Sequence, residues 1–137
     1  MFFTLLRRSK HSSSSFPSTA GSLPPVISAY LAASDRGDAE AVVRCFAQDA
    51  VVVDEGREWR GTAAIRRWRA TVATAYQYTV QVTGADALGE ADDAERHDVH
   101  IHLEGNFPGG QVDLTDRFAL RGGRIARLEI VPAEAAR

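Results

Sequence analysis

At 137 residues, with 45% hydrophobic and 25% charged side chains, the chain has the size and composition of one ordinary globular domain and is short for two. A formal net charge of −2 removes the long-range attraction that draws basic proteins to phosphate backbones or anionic lipid, so neither nucleic acid nor a membrane is an expected partner. One cysteine, Cys45, leaves no internal disulfide framework and no multi-cysteine zinc site.

The first 22 residues, MFFTLLRRSKHSSSSFPSTAGS, differ from the rest. They carry Arg7, Arg8 and Lys10 without an acid, so formal charge is +3 here and −5 over the remainder. The run MFFTLL is too short for a secretory core or a membrane span. Basic, serine-rich composition suits either an organellar transit peptide or a disordered tail, and the expectation is a disordered tail over 1–22 on a cytoplasmic protein.

In LPPVISAYLAASDRGD the prolines suit a first helical turn, and Ile27, Tyr30, Leu31 and Ser34 fall on one side before Gly37 ends the helix. Asp38 is a good N-cap for a second helix with an inward stripe of Val42, Val43 and Phe46, turning at Gln48 and Asp49. Cys45, inside that helix, reads as a small buried apolar residue rather than a reactive thiol. The β-branched valines of AVVVDEG favour a strand, and Asp54, Glu55 and Gly56 supply a turn into REWRG. Thr62 then caps a third helix with Ile65, Trp68 and Val72 inward, while Arg66, Arg67 and Arg69 read as a solvated face.

From residue 76 the pattern changes to strands: YQYTVQVTGADAL, ERHDVHIHLEG, QVDLTDRFAL and RIARLEIV, separated by acidic or glycine-rich turns. Three amphipathic helices and a run of antiparallel strands indicate an α+β domain with helices packed on one side of a curved sheet, an arrangement that leaves room for a pocket.

Two strands raise chemical questions. In QVDLTDRFAL, Val112, Leu114, Phe118 and Leu120 share one face with Asp116. A carboxylate on an apolar stripe either finds hydrogen-bond donors or takes up a proton, so Asp116 is a candidate for chemistry; the structural alternative is a bond to Arg124, Arg127 or backbone N–H groups. In RHDVHIHLEG, Asp98, His100, His102 and Glu104 share a face, a donor set acceptable to a divalent metal. Val99 and Ile101 on the opposite face are the natural inward set, however, so the histidines are assigned to solvent or a partner subunit and no metal site is expected. Among the aromatic residues, Trp59 and Phe118 join Leu114, Val99 and Ile101 as expected pocket-lining side chains, and Phe107 in NFPGG is placed at a pocket mouth or a dimer seam.

The segments AYLAASDRGDAEAVVRCFAQDAVVVDEG, WRGTAAIRRW and DRFALRGGRIARLEI together resemble the SnoaL-like branch of the nuclear transport factor 2 superfamily, over residues 24–132. The resemblance implies a cone-shaped, cystatin-like α+β fold, with three N-terminal helices packed on a curved antiparallel sheet over 23–132, a short tail over 133–137 and a homodimer. Ketosteroid isomerase, a relative within that superfamily, has a tyrosine on its first helix, an aspartate at the end of its first strand and an aspartate on a late strand. By motif these fall on Tyr30, Asp54 and Asp116. In that enzyme one aspartate moves a proton while the tyrosine and a protonated aspartate donate hydrogen bonds to the enolate oxygen. The present chain departs from it at Glu55, where the isomerase has proline.

The resulting expectation is a pocket for a compact, largely apolar molecule bearing a carbonyl or hydroxyl group. Asp54, Asp116 and Tyr30 would carry cofactor-free acid-base chemistry of the isomerase, cyclase or dehydratase type. The alternative is a binding or accessory module that uses the same pocket without catalysis. No cofactor is expected, since DRGDAE lacks the glycines of a phosphate loop.

Overall fold

The computed structural model describes residues 23–133; the basic tail over 1–22 and residues 134–137 lie outside the described residues. The chain order is α1 (Pro25–Asp35), α2 (Ala39–Arg44), β1 (Phe46–Asp54), β2 (Arg57–Arg60), α3 (Gly61–Ala75), β3 (Tyr78–Ala91), β4 (Ala94–Gly105), β5 (Gln111–Arg121) and β6 (Arg124–Pro132). The domain is α+β, with one six-stranded sheet in the order β2-β1-β6-β5-β4-β3.

Local chemistry accounts for the helical entry. Pro24 and Pro25 open α1, where an N–H would be orphaned in any case. Ile27, Tyr30, Leu31 and Ser34 are buried on one side, as their spacing predicts. Gly37, at φ +71°, makes the turn, and the Asp38 carboxylate accepts from Ala41 N–H at 3.1 Å to cap α2.

Two expectations need correction here, and one segment left unassigned is settled. The second helix stops at Arg44, and Phe46 opens a strand instead of completing the helical stripe: Ile125 N–H donates to the Cys45 carbonyl at 2.9 Å, and Phe46 stands opposite Ile125 in the ladder. The segment after the Glu55–Gly56 turn is a strand, β2, paired with β1. Helix α3 begins at Gly61 with Arg60 as an N-cap that makes no side-chain bond, so Thr62 lies inside the helix.

The sheet is also mixed rather than wholly antiparallel. Strands β1 and β6 run parallel, which is possible because the chain between them is long, while hairpin neighbours must run antiparallel. Phe107, expected at a mouth or seam, is buried and packs edge-on against Tyr76 with ring centres 6.0 Å apart. The Cys45 thiol donates to the Ala41 carbonyl at 3.5 Å, and burial pushes its pKa up, so it stays a thiol.

Register decides which side chains meet. Asp54 pairs with Ile130, Ile130 with Asp116, and Asp116 with Val99, so these four form one row across β1, β6, β5 and β4 and emerge on the same sheet face. Val52, Leu128 and Phe118 form the next row of that inner face. Helices α1 and α3 cover it with Ile27, Leu31, Ile65, Trp68 and Val72. The edge strand β3 is tied to α1 by Asp35, whose carboxylate accepts from Val80 N–H at 2.7 Å. Among the described residues no helix is long and apolar enough to cross a membrane.

Candidate functional site

Between α1, α3 and the inner sheet face lies a small cavity. Tyr30, Leu31 and Ser34 reach it from α1 and Arg69 from α3; Tyr78, Val80, Ile101, Leu103, Leu114, Asp116 and Ile130 come from the sheet. The space open to the centre of a water-sized sphere is about 10 Å³, room for roughly one water.

Asp116 is the most enclosed of its polar groups. It is 1% exposed, and its Oδ1 has no hydrogen-bond partner among the described residues. Neither arginine named as a structural partner serves it: Arg124 donates to the Arg44 carbonyl at 3.2 Å, and Arg127 lies 3.9 Å from Glu129. Burial, then the nearby Asp54 charge, push the Asp116 pKa up to about 7, against the pull of Arg69.

Asp54 stands one strand beyond Ile130 in the same row, so its backbone is roughly 10 Å from that of Asp116. It is buried, though it does not line the cavity. Trp68 Nε1 donates to its Oδ2 at 2.9 Å, and Oδ1 has no partner among the described residues. Burial raises this carboxyl to about 7 as well, against the opposing Trp68 hydrogen bond. Tyr30 packs edge-on between Phe46 and Phe118, with ring centres 5.9 and 5.7 Å away. Burial, reinforced by Asp116, holds its hydroxyl well above the ordinary phenol range, so Tyr30 is a proton-bearing donor throughout the physiological window.

The five expected lining residues separate. Leu114 and Ile101 face the cavity. Val99 is buried in the cross-strand row beside Asp116, Phe118 supports the Tyr30 ring, and Trp59 on β2 lies beneath the Arg57 guanidinium at 4.1 Å.

Arg69 requires a correction. Read from sequence as part of a solvated face, it is 3% exposed and lines the cavity. Its Nη2 donates to Ser34 Oγ at 2.7 Å and to the Tyr78 hydroxyl. The signal lay in the spacing: Ile65, Trp68, Arg69 and Val72 occupy i, i+3, i+4 and i+7, which is one helix face. Arg66 is exposed as expected, and its guanidinium grips Glu40 through two bonds of 2.7 and 3.0 Å.

On the opposite sheet face the histidine set is held by protein groups. His102 bridges Asp113 at 2.7 Å and Glu104 at 3.0 Å, and His100 bridges Thr115 at 3.0 Å and Asp86 at 3.3 Å. His97, on the inner-face register, sits 2.9 Å from Glu95. Among the described residues no cluster of three or more such donors is arranged to hold a metal ion.

The family profile of the SnoaL-like domain matches residues 27–128, most of the chain. The chain belongs to the SnoaL-like family. The solved structure of a candidate polyketide cyclase from Sinorhizobium meliloti is 36% identical to this SnoaL-like domain, with a TM-score of 0.70, over 81% of this chain and 97% of that one. A Catenulispora acidiphila protein with a ketosteroid isomerase-like fold, solved with trimethylamine, is 22% identical, with a TM-score of 0.68, over 80% of this chain and 85% of that one. The orange carotenoid protein of Anabaena, binding canthaxanthin, is 16% identical, with a TM-score of 0.72, over 80% of this chain and 36% of that one. The last two similarities show the shared fold alone. Among curated proteins none matches this chain.

Proposed function

We propose that this SnoaL-like domain binds a compact, largely apolar molecule with a carbonyl or hydroxyl group and moves a proton on it without a cofactor. The observation that carries this reading is Asp116: a fully buried carboxyl with one unpartnered oxygen, lining a cavity beside the Tyr30 phenol. A carboxyl with its pKa near 7 is present in both protonation states at neutral pH, the condition for efficient general acid-base work.

In this scheme the Asp116 carboxylate takes a proton from the carbon beside a carbonyl. The C–H electron pair moves toward the carbonyl oxygen, which becomes an enolate that accepts a hydrogen bond from the Tyr30 O–H. Asp116 then returns the proton to a second carbon, giving an isomerase, or to a departing hydroxyl, giving a dehydratase. Asp54, outside the cavity lining, acts through its charge on Asp116 and is oriented by Trp68. The S. meliloti candidate polyketide cyclase supports chemistry on carbonyl compounds, since enolate formation is also the first step of an aldol-type cyclisation.

The test is a thermal-shift screen of ketones, enones, hydroxyaromatics and epoxides, with each hit followed for solvent-deuterium exchange and conversion. Exchange that disappears in Asp116→Asn supports the scheme. Hits that bind Asp116→Asn normally and never exchange in the wild type assign the pocket to binding alone. The homodimer implied by the family resemblance belongs to the same proposal and is checked by light scattering.

A further inference from the structure

The second side of the cavity carries a feature that proton transfer does not use. Arg69 is a permanently charged guanidinium with five N–H donors, and it is almost wholly removed from water. The two hydrogen bonds it makes among the described residues both come from Nη2, and both go to neutral hydroxyls, Ser34 Oγ and Tyr78 OH. No carboxylate among the described residues stands within ion-pair distance of it. The aromatic faces nearby, Trp68 at 5.3 Å and Tyr78 at 5.8 Å from the guanidinium carbon, are weak substitutes for a counter-charge.

A buried cation without an anion is costly, and burial of this kind is normally relieved by a fully paired carboxylate. Here the two candidate carboxyls, Asp54 and Asp116, share the inner face but do not close on the guanidinium. The lining also includes aliphatic side chains, Leu31, Leu103 and Ile130 among them, so the cavity combines a charged group with apolar wall.

We propose that Arg69 is the recognition residue for an anionic oxygen, and that the ligand class is an organic acid: an apolar acyl or aryl body ending in a carboxylate that docks on the guanidinium. This rests on the reading of the same cavity as a ligand site and adds its charge specificity. Nη2 stays on Ser34 and Tyr78, which hold the guanidinium in place, while the N–H groups of Nε and Nη1, which those two bonds do not use, remain as donors to a carboxylate oxygen. Because the open space is about 10 Å³, binding an acid requires the lining side chains to move apart.

The experiment measures binding of matched pairs by calorimetry at pH 7.5: benzoate, cinnamate and hexanoate, each against its neutral amide. The expected result is a wild-type preference for acid over amide of about tenfold or more, the usual size of a charge-assisted contact. In Arg69→Met the acid should weaken to the level of the amide, while amide binding changes by less than about threefold. If Arg69→Met does not fold, Arg69→Gln replaces it: its amide N–H groups can still donate to Ser34 and Tyr78 but it carries no charge, and it should show the same loss of acid preference. Amides binding as well as acids in the wild type would overturn the assignment of Arg69 while leaving the pocket intact. An acid preference that survives in Arg69→Met or Arg69→Gln would reduce Arg69 to a structural strut. Binding of neither class at millimolar concentration would overturn both this inference and the ligand-pocket reading beneath it.

Discussion

The two faces of the sheet use similar residue types in opposite ways. On the outer face His102 sits between Asp113 and Glu104, and His100 sits between Thr115 and Asp86, so each ring nitrogen has a partner within 3.3 Å. On the inner face Asp54 and Asp116 each keep a buried oxygen without one, and Arg69 meets only hydroxyls. Unsatisfied polar groups cost most where water is absent, so a structural network would have been completed indoors first. The reverse holds here. Completed pairs stabilise, whereas incomplete ones leave hydrogen-bonding capacity that no described residue uses.

The comparison breaks most visibly if the inner carboxyls prove inert. Asp116→Asn keeps the shape of the side chain and removes its proton affinity. Turnover of any substrate found in the screen should fall by about 10²- to 10⁴-fold with the circular dichroism spectrum unchanged. Rates within about threefold of wild type would place the chemistry elsewhere.

The next effect is on stability, and its sign follows from burial. Both carboxyls have an ordinary value of 3.8 and stand near 7 in the folded domain. Between these values the folded state holds protons that the unfolded chain has already lost. Stability should therefore decline as pH rises from about 4 to about 7 and level off above that, by on the order of a few kcal/mol. Denaturant titrations across this window check the slope, and Asp116→Asn and Asp54→Asn should each flatten it. A stability profile that climbs from pH 4 to 7 would mean that these carboxylates are paired and ionised, like their outer-face counterparts.

A smaller effect sharpens the same contrast at one atom. Trp68 gives Asp54 the one donor seen for its carboxyl, and that bond lowers the Asp54 pKa. Trp68→Phe should cost about 1–3 kcal/mol from the lost bond and the smaller ring. It should also move the Asp54 titration to higher pH, which carboxyl chemical shifts in NMR would follow.

Much of the inner face could be read from residue order. The α1 stripe of Ile27, Tyr30, Leu31 and Ser34 obeys helical spacing, and Asp116 stands out because strand alternation puts it among apolar neighbours. Arg69 obeys the same helical rule and was passed over because a charge normally faces water; periodicity was the better guide there than residue type. Phe46 suits a helix and a strand equally, and its partner Ile125 lies far along the chain, so local pattern had no means of choosing. The parallel pairing of β1 with β6 and the roles of Ser34 and Tyr78 on one guanidinium likewise depend on contacts between distant segments. The cavity's place follows from helices packed on a sheet; the guanidinium in its lining does not.

The smallest effect belongs to the outer face, where the comparison predicts near silence. Burial opposes the charge on His102, yet its hydrogen bonds to Asp113 and Glu104 outweigh that and raise its pKa. Its contribution to stability is thus present below the ordinary histidine value and disappears as pH rises through the folded one. His102→Gln should cost less than about 1 kcal/mol at pH 6, because Glu104 and Asp113 are partly in water, and the difference should shrink as pH rises through the folded value. Carboxylate binding and turnover should be unchanged, since the histidine and the cavity lie on opposite sides of the β-sheet. A loss of acid binding in His102→Gln comparable to that in Arg69→Met would show that the sheet transmits charge between its faces, and the division between a satisfied exterior and a receptive interior would fail.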